Sequence, residues 1–204
     1  MLRTLALATA ALTLAACGQG SVETDVATAG TRTVSVGTAD LGGPFTLVDE
    51  TGATVTEADF LGQPTLLYFG FSYCPDVCPT ALSKLGRAQE MMGAAAEAVQ
   101  FVMVSVDPER DTAEQLAVYV TNNGFPEGLR GFTGTVEQVD AMREAYKVYA
   151  QKAPLEGSEA EYTVDHQDIV FLLGKDGKFV DFFTPRDTPG EIAGRVRAYL
   201  AKGV

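Results

Sequence analysis

Two apolar runs limit the fold more than any other feature of this chain. "TLLYFGF" at 65–71 and "QFVMVSVD" at 100–107 are long enough for strands, and apolar residues dominate both. A strand that is apolar on both sides must be covered on both sides, so each run is expected to be a buried strand inside a sheet. Between them, residues 79–95 have helical composition and place Leu82, Leu85, Ala88 and Met92 on one face. The chain therefore has to bury strands beneath helices, and with 46% hydrophobic residues it has the means to build that core.

The remaining elements fit the same plan. "PFTLVDETGATV" (44–55) reads as two short strands around a turn at Glu50–Gly52. Residues 112–122 and 135–149 read as helices, the second with Val136, Val139, Met142, Tyr146 and Tyr149 as its apolar stripe. "DIVFLLGKDGKFVDFF" (168–183) holds two strands joined through Gly-Lys-Asp-Gly, and Thr188 caps a last helix running to about Ala201. Strand, helix, strand, helix, hairpin, helix is a thioredoxin-like α/β order, a central mixed sheet flanked by helices. "AQKAPLEGSEAEY" (150–162), polar and holding Pro and Gly, is expected to be a surface loop or an arm ahead of the histidine.

The N-terminus speaks to compartment. One positive charge at Arg3, an apolar run from Leu5 to Ala16 and small residues before Cys17 are marks of a secretory signal. The run is too short to span a bilayer, which takes about 18 or more apolar residues. "LAAC" at 14–17 is similar to a bacterial lipobox, in which the cysteine is lipidated and becomes the new N-terminus; an ordinary cleaved signal is the plainer alternative. The expected division is a lipoprotein-type signal over 1–16, a lipidated Cys17 with a small, polar tether over 17–40, and the folded domain over 41–204. The domain would face an oxidising space, the periplasm or outer face, where disulfides persist. A formal charge of −12 argues against nucleic acid, whose phosphates call for basic patches.

The chemistry concentrates in "FGFSYCPDVCPTAL" (69–82), where the first buried strand runs into its helix. Cys74 and Cys78 stand four apart, each followed by a proline, and Pro79 suits the first turn because its missing N–H is not needed there. A cysteine at a helix N-terminus lies at the positive end of the dipole, which favours the thiolate. The pair can be a structural disulfide, a redox pair or part of a metal site. A disulfide closing so short a loop adds little stability, which favours an active pair. A closed zinc site takes four Cys or His ligands, and the chain holds three cysteines and one histidine, with Cys17 far away on the tether. Two thiolates with one imidazole suit copper, as Cu(I) or Cu(II). His166 alone reads equally as a solvated, hydrogen-bonded residue. Asp76 and Asp165 flank these residues as turn residues, or in the case of Asp165 as an imidazole-orienting group. Asp107 and Asp111 can cap the helix that follows, though Asp107 ends a strand where sites of this fold form.

"YFGFSYCPDVCPTAL" (68–82), "SVDPERDT" (105–112) and "YTVDHQDIVFLL" (162–173) resemble the three characteristic segments of the Sco/SenC family, and "GGPFTL" (42–47) matches its entry. The resemblance runs from about Gly42 to the C-terminus. It implies a membrane-anchored, thioredoxin-fold copper metallochaperone that helps assemble the dinuclear copper centre of cytochrome c oxidase. By the same resemblance Cys74, Cys78 and His166 are copper ligands and Asp107 is a near-site carboxylate. Gln167 departs from the pattern, where a serine commonly follows the histidine. The implied partners are the copper-bearing oxidase subunit, an upstream copper donor, a thiol reductant and the membrane through the lipid anchor. The alternative is a thiol–disulfide oxidoreductase using Cys74 and Cys78 on the oxidase cysteines, although general enzymes of that kind use Cys-x-x-Cys.

Overall fold

The computed structural model describes residues 40–203 apart from 156 and 158–160. The expected signal, Cys17 and nearly all of the tether lie outside the described residues. The elements are β1 (Thr46–Asp49), β2 (Thr54–Thr56), β3 (Thr65–Gly70), α1 (Val77–Met92), β4 (Gln100–Ser105), α2 (Ala113–Tyr119), β5 (Arg130–Thr133), α3 (Val136–Ala145), β6 (Ala150–Pro154), β7 (Tyr162–His166), β8 (Val170–Leu173), β9 (Phe179–Phe183) and α4 (Pro189–Leu200). Short 3-10 turns cover Glu57–Phe60 and Gly93–Ala98.

Seven strands form one mixed sheet in the order β2-β1-β5-β4-β3-β8-β9. β3, β4 and β5 run parallel, and the remaining neighbours are antiparallel. All six residues of β3 are buried, as a strand flanked by β4 and β8 requires. α1 and α4 pack together; Leu82, Leu85, Ala88 and Met92 are buried on α1 and Ile192, Ala193 and Val196 on α4. Thr188 caps α4 as expected, in a reciprocal box with Glu191 and with Pro189 opening the helix. The fold is α/β, thioredoxin-like, with helices flanking a mixed sheet.

Three sequence expectations change. β5, "RGFT", is an inner strand between β1 and β4 that was not anticipated, because four residues including a glycine show no period. That glycine is needed: a Cβ on Gly131 would meet Val120 Cγ1 at 2.9 Å and Leu116 Cβ at 3.1 Å, where α2 lies on the strand. The stripe expected over 135–149 shortens, since α3 ends at Ala145; Val139, Met142 and Tyr146 are buried, whereas Val136 and Tyr149 are exposed. The stretch expected as a loop or arm instead begins with β6, which pairs antiparallel with β7 from Ala150↔His166 to Pro154↔Tyr162. This hairpin is a separate two-stranded sheet.

Parallel β3 and β4 end side by side, Gly70 opposite Ser105, with the Val106 N–H donating to the Gly70 carbonyl at 2.8 Å. Both strands thus release their chain at one edge of the sheet, the usual place for a site in an α/β fold.

A dithiol and an imidazole at the end of strand β3

The segment leaving β3 turns at once into α1. Asp76 occupies the N-cap position but makes no side-chain cap bond. Cys74 takes over that role: its Sγ accepts the backbone N–H of Cys78 at 3.4 Å, one of the first-turn donors a helix leaves unpaired. Cys78 lies inside the first turn, fully buried, and Pro79 follows it where no N–H is required. Gly70 makes this approach possible. A Cβ there would stand 2.6 Å from Tyr68 Cε1 and 3.2 Å from Cys78 Sγ.

The histidine arrives from the separate hairpin. Tyr162, Val164 and His166 alternate onto one side of β7, Val164 being buried, while Thr163 and Asp165 lie on the other. His166 Nε2 stands 3.3 Å from Cys78 Sγ, and Nδ1 lies 3.1 Å from the Gln167 carbonyl. A carbonyl only accepts, so in the neutral ring Nδ1 carries the proton and the Nε2 lone pair faces the thiols. The Gln167 side chain serves elsewhere, accepting the Tyr149 N–H at the base of the hairpin. The exchange of serine for glutamine after the histidine therefore leaves the carbonyl that orients the ring unchanged. Asp165 is exposed and turned away from the site, so it does not orient the imidazole. Phe71 and Tyr68 meet the ring edge-on, with centroids at 5.8 and 6.2 Å.

Cys74 Sγ, Cys78 Sγ and a His166 nitrogen all lie within 4.8 Å of one another, and both cysteines are free thiols. Among the described residues they are the only such group of three or more Cys, His or carboxylate side chains. The thiols are electrically unequal. The Cys78 thiol donating to Cys74, with the helix N–H groups and with His166 when its Nε2 carries a proton, lowers the Cys74 pKa to about 4 despite burial. Sharing its proton with that neighbouring thiolate, together with burial, pushes Cys78 far up. The pair therefore favours loss of the proton from Cys74 over Cys78.

Asp107 is fully buried, and it is not part of the cluster formed by the three donors. It pairs with Arg110 Nε at 2.5 Å and accepts from the Tyr162 hydroxyl at 2.8 Å. Nor does Asp111 cap α2; Thr112 does, through the N–H of Gln115. The buried Asp111 carboxylate instead accepts from Ser72 N and Oγ and from Ser105 Oγ, tying the cysteine loop to β4. Arg110, Tyr162 and Asp111 had no assigned role at the site on sequence alone. Their signal in the sequence is membership of "SVDPERDT" (105–112) for Arg110 and Asp111 and of "YTVDHQDIVFLL" (162–173) for Tyr162.

These features define a thioredoxin-like α/β domain with a buried dithiol and one facing imidazole at the end of its central strand. A family model described as SCO1/SenC matches residues 34–201, and the chain belongs to that family. It is 42% identical over 162 residues to "Protein SCO1 homolog, mitochondrial" of Homo sapiens, a match covering 78% of this chain and 53% of the relative. The chain thus spans about half the length of that relative. The copper-bound structure of ScoI from Bradyrhizobium japonicum has 38% identity and a TM-score of 0.70, over 78% of this chain and 99% of its own. BsSco, described with a disulfide switch and as a member of the Sco family of cytochrome c oxidase assembly proteins, has 26% identity and a TM-score of 0.61, over 76% and 91%.

Proposed function

We propose that this chain is a copper metallochaperone that binds one copper ion through Cys74, Cys78 and His166 and assists assembly of the dinuclear copper centre of cytochrome c oxidase. The observation that carries this reading is the convergence of two thiols and one imidazole within 4.8 Å in a member of this family. The donor set fits the cargo. Two soft sulfurs hold Cu(I), an added nitrogen suits Cu(II), and three donors fall one short of a closed zinc site. Nε2 presents its lone pair without a tautomer change, and the lowered pKa of Cys74 makes its sulfur the readier thiolate donor. Burial of both sulfurs keeps water from the bound cargo.

Metal binding and a Cys74–Cys78 disulfide are then mutually exclusive, because a disulfide leaves neither sulfur an anionic lone pair. Reduced domain, dialysed with copper against a moderate chelator, should retain about one ion, as expected for thiolate ligands. Protein oxidised until alkylation finds no free thiol should retain essentially none. Stoichiometric copper on the fully oxidised form would sink the assignment.

A second reading, thiol–disulfide exchange on the oxidase cysteines, is favoured by the Cys74 thiolate at the head of α1. In that reaction Cys74 attacks the partner disulfide and Cys78 resolves the mixed disulfide, passing two electrons to the partner. Exchange does not need the imidazole. A His166→Ala variant that still reduces a disulfide-bonded peptide of the oxidase site, while its delivery of Cu(II) to that site falls, separates the two activities.

The lipid anchor, the 1–16, 17–40 and 41–204 division and the outward-facing location belong to the same proposal. No helix among the described residues is long and apolar enough to cross a membrane. The proposed anchor is Cys17 of the "LAAC" segment, where multiple acyl chains hold firmly at about 0.8 kcal/mol per buried methylene. Cys17→Ser should release the protein from membranes or leave it unprocessed; unchanged fractionation and processing would remove the lipoprotein reading.

A further inference from the structure

We propose that Arg110 is a positioning residue that latches the β6–β7 hairpin onto the cysteine loop and so sets where His166 stands. Its consequence for metal rests on the function proposed above, but the latch itself is a property of the metal-free protein.

Among the described residues the hairpin has no ladder to the seven-stranded sheet, so other contacts must fix its position. At its base, Arg143 Nη2 donates to the Ala150 carbonyl at 2.5 Å. Towards its far end the polar attachment runs through Arg110. Arg110 Nη1 donates to the Tyr162 carbonyl at 3.0 Å, and its guanidinium lies 3.8 Å from the Tyr162 ring centroid. Its Nε pairs with buried Asp107, which also takes the Tyr162 hydroxyl, so backbone, ring and hydroxyl of Tyr162 are all held. The same guanidinium sits 4.9 Å from the Tyr73 ring and 5.9 Å from the Phe71 ring.

Those contacts connect the segments that carry the three donors. Tyr73 directly precedes Cys74, and Phe71 packs edge-on against His166. Tyr162 lies four residues before His166 on the same side of β7, with buried Val164 between them. Fixing Tyr162 therefore fixes the strand that aims Nε2 at Cys78. The Lys152–Glu109 pair reaches the same region, but both side chains are about half exposed and such pairs contribute little. Only the planar fork of arginine can bond Asp107, bond the Tyr162 carbonyl and stack on the ring at once, which a lysine ammonium cannot.

His166 is the only histidine in the chain, which gives a clean local readout. Reduced, metal-free wild type, Arg110→Lys and Arg110→Gln are treated with diethyl pyrocarbonate, and modification of the His166 peptide is followed by mass spectrometry. Amide exchange is measured on the same proteins. Both variants should modify His166 several-fold faster and lose protection over 162–166, while 65–70 and 100–105 keep theirs. Unchanged reactivity and hairpin exchange would overturn the latch, as would an equal loss of protection in β3 and β4. Should Arg110→Gln not fold, Tyr162→Phe decides: it keeps the stacked ring, loses the hydroxyl bond to Asp107, and should give a smaller rise in both readouts. No rise would overturn the proposal. A protein that behaves as expected here yet keeps no copper would remove the metal reading and leave the latch standing.

Discussion

His166 Nε2 stands 3.3 Å from Cys78 Sγ although the two residues are 88 positions apart in the chain. Cys78 is fixed by the sheet edge and the first turn of α1, and His166 by a hairpin outside that sheet. The site is therefore a junction between a rigid half holding the sulfurs and a separately attached half holding the nitrogen.

That division predicts unequal effects of removing the imidazole. Two thiolates suffice for soft Cu(I), whereas Cu(II) gains more from nitrogen. His166→Ala should cost Cu(II) affinity about 10–100-fold, at least as much as losing an outer partner of a metal site. The loss for Cu(I) should be clearly smaller. Competition titrations with both ions on reduced protein decide it, and equal losses would contradict the prediction.

The unequal thiols predict a domed pH dependence of stability. Cys74 has its folded pKa lowered from 9.0 to about 4, so its contribution is fully present above 9 and is lost as pH falls through 4. Cys78 is raised above its ordinary 9.0, so its contribution is present below 9 and is lost as pH rises further. Subtracting the denaturation profile of a Cys74→Ser/Cys78→Ser variant from that of wild type should leave a curve that climbs from pH 4 towards 9 and then falls. A flat difference would mean the thiols are not coupled in the folded state.

The sulfurs were legible because their chemistry depends on local pattern. An apolar run entering a helix with Cys and Pro in its first turn fixes the Cys74–Cys78 geometry within a few residues. The histidine was legible only through family resemblance, since nothing local in "YTVDHQD" says which residue it will face. The hairpin was missed for a physical reason. β6, "AQKAP", has no buried residue, so a polar strand carried by a separate two-stranded sheet looks like a loop. Asp111 was misread because Asp beside a helix start is ordinarily a cap, and Thr112 had already filled that role.

Gly70 gives a direct test of the packing behind the sulfurs. A methyl there would press on Tyr68 Cε1 at 2.6 Å and Cys78 Sγ at 3.2 Å, both in fully buried side chains. Gly70→Ala should destabilise the domain by about 1–3 kcal/mol, the usual cost of overpacking. It should also move Cys78 away from Cys74, weakening the bond that favours the thiolate. Thiolate absorbance near neutral pH should fall relative to wild type; an unchanged titration with unchanged stability would show that the strand absorbs the methyl.

Asp111 holds the cysteine loop from behind, and its substitutions should separate hydrogen bonding from charge. Its carboxylate accepts Ser72 N at 3.0 Å, Ser72 Oγ at 2.5 Å and Ser105 Oγ at 2.6 Å. Ser72 lies two residues before Cys74, so these bonds fix the start of the loop. Asp111→Ala leaves several buried donors without an acceptor and should cost about 3 kcal/mol or more, since one such group costs about 1–3 kcal/mol. Asp111→Asn keeps one carbonyl acceptor and should cost less. The charge acts in the opposite sense to the bonds. Burial raises the folded pKa of Asp111, so its protonated form favours the folded state at low pH, and that contribution is lost as pH rises from 3.8 through the folded value and the group ionises. The asparagine variant lacks this term, so its deficit relative to wild type should be largest in acid and shrink as pH rises through that window. Chemical denaturation of both variants across the acidic range measures this directly. A deficit that instead grows with pH would mean that ionised Asp111 is stabilised in the fold, its three donors outweighing burial.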